Sequence, residues 1–172
     1  MKLAIADANI FIDLIKLQIL PLLFCIDMEI HTSKKIVDQL IDQQAEEVNI
    51  FINKGRLNVH LFSAAEFQEI LDFEAPRALE IADKSVAWLA IKMSAMVLSG
   101  DAPLRKFCES KKLEVKGIIW LFDEFLQKEL INIAHAIEKM EYLLSFNGRL
   151  PKHACEQRLL ALRNNATGSA EN

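Results

Sequence analysis

The stretch Lys2-Leu-Ala-Ile-Ala-Asp-Ala-Asn-Ile-Phe-Ile-Asp13 decides the fold. Its apolar run, Leu3 to Ala6, stops on Asp7 and passes at once into a helix-spaced pattern. A short, unbroken apolar run of this kind marks a strand buried on both faces of a parallel sheet. An acid at the carboxyl end of such a strand stands where open α/β sheets bind their ligands. One buried Asp is a curiosity; three or four that converge are a metal site.

Outward from this stretch the pattern repeats. Ile10, Phe11, Leu14, Ile15 and Leu17 follow helical spacing, and Pro21 introduces a short helix over 19–24. Glu29-Ile-His31 reads as a second strand, with Thr32-Ser33 an N-cap for a helix over 33–44 that carries Ile36, Val37, Leu40 and Ile41. A helix over 45–54 ends at Gly55, a C′ glycine. Leu57 to Leu61 alternates as a short strand, and Ser63-Ala-Ala-Glu66 is a capping box opening a helix to residue 74. Pro76 is expected to start a longer helix reaching Ala95. Met96-Val-Leu-Ser99 is another buried strand, followed at once by Gly100-Asp101, and Asp101 caps a helix running to Lys111. Leu113-Glu-Val115 is a short strand before Gly117, and helices over 118–128, 131–146 and 152–163 follow. Asn147-Gly-Arg-Leu-Pro151 is the clearest loop, and the tail from Asn164 is polar, aperiodic and expected to fray.

Strands alternating with helices imply βαβ units and a parallel sheet with helices on both faces. The domain reading is an α/β body over 1–128, a C-terminal helical extension over 129–163 and a flexible tail over 164–172. With 172 residues, 52% hydrophobic and 26% charged, the chain suits one soluble, well-packed domain. A net charge of -4 neither announces nor excludes a nucleic-acid binder, because local basic patches matter more than totals. Cys25, Cys108 and Cys155 lack zinc-ligand spacing and read as reduced, mostly buried thiols of a cytoplasmic protein. Asp7 and Asp13 interrupt any signal-peptide core, and Asp13, Lys16, Pro21 and Asp27 argue against a membrane span.

Three acids stand out. On a helix started by Pro76, Leu79, Val86, Ala87 and Ala90 fall on one stripe and Asp83 lies in its middle. An unpaired carboxylate on an apolar face costs several kcal/mol unless partners or a cation offset it. Asp101 repeats the strand-end placement of Asp7, although a plain helix cap would also explain it. Asp38 lies only at the edge of its helix's apolar stripe. Such a set suits Mg²⁺ or Mn²⁺, hard cations that take oxygen ligands and relieve the mutual repulsion of gathered carboxylates.

These residues, taken in order, make residues 3–122 resemble the PIN-domain family, metal-dependent ribonucleases built on a Rossmann-like sheet. The matches are Asp7 in Ile5-Ala-Asp-Ala-Asn9, Asp83 in Ala82-Asp-Lys-Ser-Val-Ala87, and Asp101 in Ser99-Gly-Asp-Ala-Pro-Leu-Arg105. Leu113 to Leu121 is similar to the family's late strand and its helix. One position departs: the family usually has Glu where this chain offers Asp38, which is shorter by one methylene. The resemblance implies a three-layer α/β/α PIN fold around a parallel sheet of about four or five strands, with a C-terminal helical extension. It also implies hydrolysis of single-stranded RNA with Mg²⁺ or Mn²⁺ held by Asp7, Asp83 and Asp101, and with Asp38 completing the acidic ring. Asn9 and Ser99 would support the carboxylates, and Arg105, Lys106, Lys34 and Lys35 are candidate phosphate contacts. Small PIN proteins of this kind include toxins of toxin–antitoxin pairs, so an antitoxin protein and a homodimer are the implied partners.

Trp88 and Trp120 read as core residues, and the four histidines are too scattered to make a catalytic dyad. The competing reading is a catalytically weak or inactive PIN-like module that binds RNA or protein through the same crevice. The departure at Asp38 and the acidic net charge favour it. A carboxylate-pocket phosphatase or nucleotide binder is a third reading, weakened by the lack of a Gly-rich phosphate loop.

Overall fold

A computed structural model describes residues 2–168. Five strands, β1 (Lys2–Ala6), β2 (Met28–Ser33), β3 (Leu57–His60), β4 (Met96–Leu98) and β5 (Val115–Lys116), form one sheet in the order β3-β2-β1-β4-β5. All four pairings are parallel. The order makes β1 central: the chain first builds outward through β2 and β3, then returns to lay β4 and β5 on the other side. Strand order therefore reverses between β1 and β4. A crevice opens at such a switch point, outside the carboxyl ends of its two strands.

Helices cover both faces of this sheet. They are α1 (Ala8–Lys16), α2 (Leu20–Leu23), α3 (Lys34–Val37), α4 (Asp42–Asn53), α5 (Ala64–Asp72), α6 (Ile81–Met93), α7 (Ala102–Ser110), α8 (Ile118–Gln127), α9 (Ile133–Phe146) and α10 (Lys152–Gly168). The central strand is sequestered as its apolar run requires, with Ala4, Ile5 and Ala6 fully buried. Phe11, Phe122 and Phe125 are the largest of the fully buried side chains around it. The architecture is the expected three-layer α/β/α arrangement. The Ser63–Glu66 capping box forms as expected, with Glu66 N–H donating to Ser63 Oγ at 3.3 Å and Ser63 N–H to Glu66 Oε2 at 3.0 Å. Gly55 takes the left-handed conformation, φ +65°, expected of the residue that ends α4.

Three expectations need correcting. The helix expected over 33–44 breaks after Val37: Ile41 is extended and 65% exposed, and α4 starts at Asp42. Pro76 starts no helix but a turn closed by Leu79 N–H on the Pro76 carbonyl, and α6 begins at Ile81. Asp83 therefore stands in the first turn of α6, where its Oδ2 accepts the Glu80 N–H at 2.8 Å, and not midway along an apolar face. The tail expected from Asn164 continues α10 as far as Gly168, while residues 169–172 lie outside the described residues.

The C-terminal hairpin of α9 and α10 adds Ala136, Met140, Leu143, Leu159 and Leu162 to the same hydrophobic core as the sheet. Its loop is anchored at Asn147, which is buried and donates from Nδ2 to Asp13 Oδ2 of α1 at 2.7 Å.

Candidate metal centre at the switch point

The corner is built from the two residues that follow β1 and β4. Asp7 ends β1 and caps α1, with Oδ1 accepting the Ala8 N–H at 2.7 Å. Its Oδ2 accepts Ser99 Oγ–H at 2.7 Å and the Asn9 amide at 2.5 Å. Asn9 reaches back across the crevice: its Oδ1 accepts the Gly100 N–H at 2.8 Å. A side chain on Gly100 would put its Cβ 3.4 Å from that oxygen, so the glycine lets the β4 end approach α1 closely. Ser99 Oγ also accepts the Asp101 N–H at 3.0 Å, and Asp101 Oδ1 caps α7 through the Leu104 N–H at 2.8 Å. Asn9 and Ser99 thus tie the β1 and β4 ends together around Asp7.

Electrostatics agree with the geometry. Asp7 is only 4% exposed, and burial pushes its carboxyl up to about 6 against the pull of its Ser99 and Ala8 hydrogen bonds. The charges of Asp83 and Asp101 push it further in the same direction. Asp83, half-buried at the start of α6, is raised by burial and by the charges of Asp101 and Glu80, and lowered by its Glu80 N–H bond. Asp7, Asp83 and Asp101 therefore share one electrostatic neighbourhood. The buried Cys108 thiol is pushed up to about 12 by burial and by the charges of Asp7, Glu109 and Asp83, which makes it unreactive.

Asp38 stands apart. Its side chain is 50% exposed at the end of α3 and pairs with Lys34, and it is not among the charges that raise Asp7 or Asp83. The candidate phosphate contacts are equally spread. Lys34 is committed to Asp38, Lys35 lies over the Phe67 ring at 4.8 Å, and Lys106 is exposed on α7. Arg105 turns inward: its guanidinium donates to the carbonyls of Val115 at 3.3 Å and Ser99 at 3.4 Å, which ties the ends of β4 and β5 together.

Several residues that the sequence did not single out support the corner. Thr32 Oγ1 donates to the Ala6 carbonyl at 2.8 Å, which fixes the end of β1 from the β2 side. Ser33 Oγ and Ser85 Oγ lie 2.7 Å apart, and Ser85 donates to the Ala82 carbonyl at 2.6 Å, which seats the first turn of α6 that carries Asp83. The signal was a Thr-Ser pair closing a buried strand, read only as a cap. The histidines also meet. Because β2 and β3 pair, His31 Nδ1 lies 2.9 Å from His60 Nε2, and burial, followed by the proximity of His31, lowers His60.

The donors fit a hard divalent cation in kind, being carboxylate and hydroxyl oxygens with three like charges left to repel one another. Among the described residues, no three of His, Cys, Asp and Glu stand close enough to cage a metal ion. A Mg²⁺-type ion answers both observations, since it keeps several waters and is held by one or two carboxylates plus substrate phosphates.

Fold and corner together define a three-layer α/β/α protein with three acids in one electrostatic neighbourhood at its topological switch point. Residues 3–163 match the family model described as PIN domain, and the chain belongs to that family, which generally includes nucleases. The match extends through α9 and into α10. Among solved structures, the chain is similar to a PilT N-terminus domain protein from the hyperthermophilic archaeon Sulfolobus solfataricus P2, with 12% identity and a TM-score of 0.46. That likeness covers 72% of this chain and 93% of the other. No curated protein matches the sequence. Among the described residues no helix is long and apolar enough to cross a membrane.

Proposed function

We propose that the protein is a metal-dependent ribonuclease that hydrolyses phosphodiester bonds of single-stranded RNA at the Asp7 corner. The observation that carries this reading is Asp7 itself: a carboxylate buried at the end of the central strand, pushed up to about 6 by burial and further by the charges of Asp83 and Asp101. Charges arranged in this way destabilise one another until a cation joins them. One or two of Asp7, Asp83 and Asp101 would hold Mg²⁺ or Mn²⁺ directly, the others acting by charge or through water, and the ion would supply an activated water and charge stabilisation at the scissile phosphate. Asn9 and Ser99 keep Asp7 oriented, so that it meets the ion without first reorganising. Arg105 serves the site by fixing the strand ends, and Lys106 is the cation of α7 left free to approach a phosphate. An antitoxin protein and a second copy of the chain are the partners this reading brings with it.

The test is Mn²⁺-dependent cleavage of a mixed single-stranded RNA by the wild type and by Asp7→Asn and Asp83→Asn. Cleavage that appears with the metal and disappears in both variants sustains the reading. No cleavage with either Mn²⁺ or Mg²⁺ sinks it.

A second reading, a PIN-like module that binds RNA without cutting it, is favoured by one observation. Asp38, the fourth acid of the expected ring, points to solvent with Lys34 and leaves the corner one carboxylate short. Metal-independent RNA binding without turnover would select it.

A further inference from the structure

Next to the acid corner lies a cavity of about 560 Å³, within the range of small-ligand sites. Gly100, Lys116 and Gly117 contribute to it from the carboxyl ends of β4 and β5, Trp120 from the first turn of α8, Arg105 from α7 and Pro151 from the loop before α10. Gly100 is also the residue between Ser99 and Asp101, so the cavity opens one residue away from the acids. We propose that this cavity takes a single unpaired nucleobase of the substrate strand, stacked on Trp120, with the flanking phosphate near Lys116. The proposal rests on the ribonuclease reading and names how that site engages its substrate.

The packing of α8 is the first argument. Ile118, Leu121, Phe122 and Phe125 are the side chains it buries, whereas Trp120 is half-buried and lines the cavity. Trp120 packs against the core, as its sequence reading expects, and in addition lines the cavity. An indole face reachable from a cavity is a stacking platform for any base, and such platforms serve single strands, whose bases have an uncovered face.

Charge is the second argument. Lys116 Nζ lies over the Trp120 ring, 6.0 Å from its centroid, and pairs with Glu114 at 3.4 Å in an exposed contact that a phosphate can replace; Arg105, paired with Glu109, is held in the wall by backbone carbonyls. The acid of the lining, Asp123, is engaged by Arg158 at 2.5 Å. A flat apolar surface edged by cations matches a base with its phosphate better than it matches an apolar side chain. Gly117 keeps the wall thin, since a Cβ there would stand 3.2 Å from Arg105 Nη2 and displace the guanidinium.

The test is binding in EDTA, where no metal-dependent cleavage intervenes. Labelled adenine hexanucleotide, an abasic hexamer of the same backbone and the hexanucleotide annealed to its complement are titrated by fluorescence anisotropy. The wild type should prefer the single strand with bases over the abasic one by roughly 10-fold, the scale of one stacked base. Trp120→Leu should erase the preference and Trp120→Phe should keep it, which separates stacking from a folding defect. In a Trp88→Phe protein, where Trp120 is the remaining tryptophan, the base-bearing strand should quench emission and the abasic strand should not. Equal affinity for the two strands, quenching by the duplex as strong as by the single strand, or quenching by an apolar peptide and not by RNA would overturn the proposal. A parallel Mn²⁺ cleavage assay separates the failures: cleavage without base preference removes the subsite alone, and base preference without cleavage removes the nuclease alone.

Discussion

Helix α1 carries two buried acids six residues apart, and they have opposite surroundings. Asp7 and Asp13 are each 4% exposed, each raised by burial, and each bound by an asparagine amide, from Asn9 and Asn147 respectively. Asp13 also has cations: Arg149 Nη2 lies 3.8 Å from its Oδ1, and Arg149 and Lys16 both pull its carboxyl down. Asp7 has further carboxylates in their place. A buried acid with its counter-charge supplied by the chain is a fastening. One whose charged neighbours are further acids is, under the proposed reading, where a cation would bind.

The comparison breaks most sharply on activity. Asp7→Asn should lower Mn²⁺-dependent RNA cleavage by about a hundredfold or more, the loss of several kcal/mol of metal-assisted stabilisation. Asp13→Asn should leave the cleavage rate of folded protein within a few fold. If the two variants lose equal activity, Asp7 has no special standing.

Stability against pH is the next largest effect. Asp7 rises from 3.8 to about 6 on folding, so the folded state holds its proton more tightly than the unfolded chain does. Its contribution is fully present below pH 4 and is lost as pH climbs through about 6. In metal-free protein, the stability of Asp7→Asn relative to wild type should therefore improve by about 3 kcal/mol between pH 4 and pH 7, two units at 1.36 kcal/mol each. Urea midpoints at the two pH values read this directly, and added Mn²⁺ should narrow the gap by stabilising the wild type alone.

At the other acid, Asn147→Ala strips Asp13 of its short hydrogen bond while leaving it buried. The expected cost is about 1–3 kcal/mol, the penalty of an unsatisfied buried acceptor, seen as a lower urea midpoint with the cleavage rate per folded molecule unchanged. Smallest of all should be Asp38→Asn. An exposed i,i+4 pair with Lys34 is worth little, so stability should stay within about 0.5 kcal/mol. Its activity should stay within about twofold of wild type, measured on the same RNA, because it lies outside the charged neighbourhood of Asp7. A loss as large as that of Asp7→Asn would return Asp38 to the acidic ring.

The layout of strands and the strand-end acids were legible because both signals are local. A buried parallel strand is an apolar run, and an acid that ends it is visible at once in Ala6-Asp7 and in Ser99-Gly-Asp101. Asp83 was noticed for a reason the structure changes. The apolar stripe was drawn on a helix assumed to begin at Pro76, whereas the Asp83 carboxylate caps that helix a turn later, at Glu80. In the sequence Asp13 reads only as an interruption of an apolar run, because its hydrogen-bond partner Asn147 lies 134 residues on and no window of sequence contains both. The meeting of His31 with His60, and the place of Trp120 on the cavity wall, depend likewise on which strands and helices become neighbours. Local pattern placed the acids; tertiary pairing decided which of them have company.

The hydrogen bond from Ser99 to Asp7 spans 92 residues, and that from Asn147 to Asp13 spans 134. Such long-range closures form late, because the loop entropy has to be lost before the contacts repay it. A growing chain thus holds β1 and α1 before either partner exists: the corner closes once β4 has been synthesised, and the Asn147 fastening on Asp13 follows later. The order of strands in the sheet doubles as a timer: Asp7 acquires its setting only after the chain has grown by a further 92 residues.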